Sequence, residues 1–149
     1  MSKHITETLW RTAADIVTAE AEALPFIFIV KDNHIIAHGQ VNFSSEALKM
    51  QSCRQASALA RRTGADLVVV ISESWIKKLA PGETIPEGRV KNMEGRQEAL
   101  SLVEVTPDGS GVMYFAEIKT EGKGRSLGPR IVESAQTHLV PPWGTIIVH

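Results

Sequence analysis

Three glycines and two cations crowd into Thr120-Glu121-Gly122-Lys123-Gly124-Arg125-Ser126-Leu127-Gly128-Pro129. Glycine lets the backbone approach a ligand closely, and Lys119, Lys123, Arg125 and Arg130 bring positive charge to the same stretch. A helix opening at Pro129 would add free N–H groups, which favour anions. These ingredients suit a phosphate or a carboxylate. The spacing, G-x-G-x-x-x-G, is not the dinucleotide fingerprint, and the same composition also serves as a solvent-exposed connector with nothing bound.

A second candidate group follows the apolar run Asp66-Leu67-Val68-Val69-Val70-Ile71. Glu73 sits just beyond it, where a carboxylate can act as a general base or hold a cation. Trp75 can stack on a ligand ring. The structural alternatives are a polar residue beginning a turn for Glu73 and a core plug for Trp75. Glu98 is the other candidate base, and Arg96 lies two residues before it.

Familiar chemistries are mostly missing. The order of the first five elements resembles that of zinc-dependent nucleoside deaminases, whose metal is held by a His or Cys before Glu and a Pro-Cys-x-x-Cys. The chain has one cysteine, Cys53, and His38-Gly39-Gln40 lacks the glutamate, so the resemblance stops short of catalysis. His34 and His38 are expected on one face of a strand, four residues apart and too distant to chelate one ion. Pro107-Asp108 and Glu117-Ile118-Lys119 spell part of a nuclease signature, PD-(D/E)xK. With Asp108 in a hairpin turn and Glu117 far along the next strand, they would lie about 25–30 Å apart. Nothing specifies a metal or a cofactor.

The elements that would position these residues follow from periodicity. Ile5, Leu9, Ala13, Ile16 and Val17 predict an amphipathic helix over Lys3–Ala23. Phe26–Val30 and Ile35–Val41 read as strands joined by a tight turn at Asp32-Asn33. Ser44 or Ser45 then caps a helix closed by Gly64. The DLVVVI strand is apolar throughout, as expected of a central strand covered on both faces, and a strand, helix, strand order predicts a parallel crossover. Ala99–Val105 and Val112–Thr120 form a second hairpin around Thr106–Gly111. Pro129 begins a third helix carrying Ile131, Val132, Ala135 and Leu139, and Trp143–Val148 is a last edge strand. The expected fold is α+β: one mixed sheet of five to six strands with helices packed on it, in the order αββαβββαβ.

Composition bounds the function. The 149 residues are 43% hydrophobic and 22% charged, the profile of one globular domain over 1–149. Sixteen basic against seventeen acidic residues give a net charge of −1, so nothing suggests wholesale nucleic-acid or membrane binding. The single cysteine and the lack of a signal-like start point to the cytoplasm. No apolar run approaches the roughly 20 residues of a membrane span.

If strands two and three run parallel, several ends gather on one rim. Ser44, Glu73, Trp75, Arg89, Lys91, Arg96, Lys119, Lys123 and Arg125 would share it. Three readings follow. One is a binding or regulatory protein for a small anionic ligand, a nucleotide or phosphorylated metabolite. The second is a hydrolase or transferase with Glu73 or Glu98 as base and Arg96, Lys119 and Arg125 stabilising negative charge. The third is a homo-oligomeric or accessory protein without a small-molecule site, such as a homodimer, that pairs with a copy of itself through an apolar helix face or the edge near Ile146-Ile147-Val148.

Overall fold

The computed structural model describes residues 2–19, 25–40, 45–76, 97–122, 124–136 and 143. Along them run α1 (Ser2–Thr18), β1 (Phe26–Lys31), β2 (His34–Gln40), α2 (Glu46–Thr63), β3 (Leu67–Ile76), β4 (Gln97–Val105), β5 (Ser110–Glu121), β6 (Gly124–Leu127) and β7 (Ile131–Gln136). The class is α+β, as expected. The strands lie in the order β2-β1-β3-β4-β5-β6, with β7 also paired to β5.

Local chemistry explains the boundaries. Asp32 and Asn33 adopt φ of 51° and 61°, the pair of left-handed residues that a two-residue hairpin demands. The Ser45 hydroxyl accepts from Leu48 N at 3.1 Å and caps α2. Gly64, with φ 69°, closes the helix while Ala65 N donates to Ala60 O at 2.9 Å. In the β4–β5 hairpin the Asp108 carboxylate accepts from Thr106 Oγ1 at 2.7 Å and Ser110 N at 2.9 Å. Those bonds hold its pKa below the usual carboxylate value. Asp108 is therefore a turn residue, as expected.

β3 is buried on both sides. Leu67, Val69 and Ile71 face α1 with Leu9, Ala13 and Val17, joined by Leu100 and Leu102 of β4 and Tyr114 and Ile118 of β5. Val68 and Val70 face α2 with Cys53, Ala56 and Ala60, joined by Val103, Val105 and Trp143. The small residues of α2 let it lie close on the sheet. Trp143 is a core plug rather than the start of an exposed strand: it is 2% exposed, its Nε1 donates to Ala65 O at 3.2 Å, and its carbonyl accepts from Arg61 Nε at 2.9 Å.

Four expectations are corrected. All the ladders among the described residues are antiparallel, so the sheet is not mixed. β2 and β3 do run in the same direction, but β1 lies between them and pairs with both. The third helix is absent where it was expected to begin. Ile131–Gln136 is strand β7, because the first half of β5 has an open edge there and β-branched Ile131 and Val132 suit a ladder. The glycine-rich stretch is not a connector but the β5–β6 hairpin, turning at Gly122 with φ 60°. Finally, His34 and His38 do not share a face: a bulge between Ile29 and Val30 shifts the β1–β2 register, pairing His38 with Phe28 and His34 with Lys31. The sites expected at Ser44, over Ala80–Glu94 and over 144–148 lie outside the described residues.

Two substitutions separate core from cap. Leu100→Ala, at 0% exposure, should cost about 2–5 kcal/mol. Gly64→Ala has room, with Lys31 Nζ 3.7 Å from the added carbon, and should cost only about 1–2 kcal/mol for its left-handed backbone. Urea denaturation checks both, and equal losses would contradict this account.

Candidate functional site

β5 uses both of its edges: one pairs with β4 as far as Glu117, and on the other, residues 118–121 pair with β6 as the chain turns back. From Ile118 opposite Leu127 to Phe115 opposite Ile131, three steps along β5 match four along the returning chain. The extra residue is absorbed at Gly128-Pro129-Arg130, where proline has no N–H to offer a ladder. Gly128 N still reaches Glu117 O at 2.9 Å. β6 and β7 are thus one edge strand broken by a bulge.

Strand alternation sets which side chains share a face. On β3, Glu73 continues the series Leu67, Val69 and Ile71, which faces α1. On β4, Glu98 precedes Leu100 and Leu102 on that face. On β5, Thr120 follows Tyr114 and Ile118, and Arg125 stands opposite Thr120. Glu73, Glu98 and Arg125 therefore project to the α1 side at the end of the sheet where β3 and β5 finish.

In a flat sheet β6 would lie three strand spacings from β3, about 14 Å away. Arg125 Nη2 nevertheless donates a hydrogen bond to Glu73 Oε1, and it lies 3.8 Å from Glu98 Oε2. The end of the sheet is therefore curled over the α1 side, and α1 packs against β6 as well as β3 and β4. The Arg125 and Glu73 side chains are each 17% exposed, while Glu98 is 48% exposed. One guanidinium thus has an inner, sheltered carboxylate and an outer, wetter one.

The other expected site residues are distributed differently. Lys119 pairs with Ser126, one step from the Thr120–Arg125 pair, and so lies on the opposite face of the β5–β6 ribbon. Trp75 occupies β3 opposite Glu98, and its side chain is outside the described set. Ser44, Arg89, Lys91, Arg96 and Lys123 also lie outside the described residues. The N-terminus of α2, capped by Ser45, is on the far face of the sheet. With no helix at Pro129, its N–H groups are not an anion-binding feature.

Beside the bulge stands a second polar cluster that the sequence did not announce. Arg130 donates to Glu7 Oε2 at 2.9 Å, and its guanidinium carbon lies 5.7 Å from the Trp10 ring and 5.2 Å from the Tyr114 ring. The hydrogen bond from Arg130 holds the Glu7 carboxyl below its usual value, and Glu7 in return raises Arg130. Glu104 is 7% exposed on the same face, and its Oε1 has no partner. The only hint in the sequence was a carboxylate inside the otherwise apolar Leu102-Val103-Glu104-Val105. Among the described residues, no group of three or more His, Cys, Asp or Glu could hold a metal ion. None of the described helices is long and apolar enough to cross a membrane.

Comparison with known proteins bears on the chain as a whole. The family described as Bacteriophage lambda protein ea47 matches residues 1–146. The chain belongs to this family. No curated protein and no solved structure matches it. In this member of the ea47 family, then, the Glu73–Arg125–Glu98 arrangement must be read from its own geometry.

The second cluster makes alkaline stability testable. Burial first, and the Glu104 carboxylate second, push the Tyr114 hydroxyl from 10.0 up to about 12. A group raised in the folded state stabilises the fold below its unfolded pKa and loses that contribution as pH climbs through the folded value. The denaturation midpoint of the wild type should therefore fall between about pH 10 and 12, and Tyr114→Phe should flatten that fall. Parallel declines in the two proteins would show that Tyr114 does not titrate this way.

Proposed function

We propose that this ea47-family protein binds a small anionic ligand, a phosphate- or carboxylate-bearing molecule, at the end of the sheet where Arg125 meets Glu73 and Glu98. The observation that carries the reading is the reach of Arg125: a residue of the glycine-rich hairpin is held beside the end of the central strand. Arginine presents a planar fork of five donors, suited to two oxygens of one anion. Glu73 fixes the guanidinium from the sheltered side, which lowers the entropy lost when a ligand binds. Glu98 holds the outer position more loosely, at 3.8 Å and half in water, and is the group that an incoming anion displaces.

The two carboxylates then have opposite effects on affinity. Thermal denaturation with inorganic phosphate, and separately with a nucleoside monophosphate, should show stabilisation of the native protein; saturation at 100 times Kd corresponds to about 2.7 kcal/mol. Glu98→Gln removes a competitor for Arg125 and should tighten binding by up to about fivefold, the scale of an exposed ion pair. Arg125→Ala should abolish it. Stabilisation that survives Arg125→Ala, or none by either anion in wild type and Glu98→Gln alike, would refute the site.

A further inference from the structure

The two edges of the sheet are finished differently. The β6–β7 edge carries a bulge, Pro129, Arg125, Arg130 and Glu133, the devices that discourage a further strand from adding. At the other edge β2, His34-Ile35-Ile36-Ala37-His38-Gly39-Gln40, pairs only with β1 among the described residues. Its seven residues include no Lys, Arg, Asp, Glu or Pro. Ile35 and Ile36 are 37% and 43% exposed. The bulge at Ile29/Val30 disturbs the part of β2 nearest the turn, whereas Ala37–Gln40 stay in regular register with Phe26–Ile29.

We infer that β2 pairs antiparallel with β2 of a second copy of this chain, about a two-fold axis, so that one sheet runs through a dimer. Self-pairing requires a surface complementary to itself. An antiparallel strand edge has that property, because it offers the same alternation of N–H and C=O to a copy running the other way. On most edges this arrangement sets like charges against each other; β2 has no Lys, Arg, Asp or Glu to oppose.

Shape agrees with this. Ala37 and Gly39 pair with Ile29 and Ile27, which face α2, so along the regular stretch Ala37–Gln40 the α2 side of the edge carries only small side chains. Between the edge and α2 lies a groove of about 230 Å³, walled by Ile27, Ile29, Ala56 and Leu59. A Cβ added at Gly39 would meet nothing within 4 Å. A second strand therefore approaches without striking α2. The contact is one strand wide and buries less than the roughly 1,600 Å² of a standard interface, so the dimer separates on dilution.

Light scattering and analytical ultracentrifugation of the full chain across the micromolar range should show a monomer–dimer equilibrium. Ile36→Lys should move it to monomer with an unchanged circular dichroism spectrum. Should that variant misfold, Ala37→Cys and His38→Cys decide the matter: at least one should form a disulfide-linked dimer under mild oxidant. The wild type should not, because Cys53 is fully buried and burial raises its thiol pKa. A wild type that is monomeric throughout, a dimer indifferent to Ile36→Lys, or the absence of cross-linking at both positions would each overturn the inference.

Discussion

A strand that is apolar on both faces must be covered twice and paired twice, and β3 imposes that condition on the whole molecule. Its alternating side chains create two cores, one closed by α1 and the other by α2. Its two edges recruit β1 and β4, both antiparallel. The peptide groups of Val68–Ile71 then have ladder partners on both edges, as the low polarity of such an interior demands. The small residues of α2 and the four-residue spacing of Leu9, Ala13 and Val17 on α1 are the complementary halves of that arrangement.

The same strand sets where polar chemistry can emerge. Beyond Ile71 the α1-facing series continues into Glu73, so a carboxylate stands where the core ends. Arg125 meets it because the chain returns along the far edge of β5 as β6 and curls toward α1. Arg130, five residues later, grips α1 through Glu7 and lies over Trp10 and Tyr114. Two arginines from one broken edge strand thus serve different tasks: one latches a helix to the sheet, and the other completes a charge cluster at its rim.

The ends of the sheet complement this division. The broken β6–β7 strand gives its two arginines to the α1 side, and its bulge and proline interrupt the outer ladder. β2 gives the molecule nothing comparable: it carries no Lys, Arg, Asp or Glu and exposes Ile35 and Ile36. The proposed anion site at Arg125 and the proposed pairing edge at β2 therefore fall on opposite edges of the sheet.

Much of the local structure was legible in the residues. Alternation and 3.6-residue periodicity are properties of the chain itself, so α1, the Asp32-Asn33 turn, the Ser45 and Gly64 caps of α2, the doubly buried β3 and the Thr106–Ser110 hairpin could all be read from neighbours a few positions apart. The errors share another cause. Ile131-Val132 fits a helix start after proline as well as a strand, and only the open edge of β5 decides between them. A bulge that separates His34 from His38, and the placing of β1 between β2 and β3, depend on pairings that leave no periodic trace. The proximity of Glu73 and Arg125 was expected from the gathering of strand ends, yet Lys119 was grouped with them because ends can be inferred while faces in an unforeseen hairpin cannot. The sequence by itself determined which segments are strands or helices wherever the pattern was strong, because that information is local. Tertiary structure alone decided which edges pair and which side chains meet, because hydrogen-bond partners 52 residues apart are chosen by competition among all the strands at once.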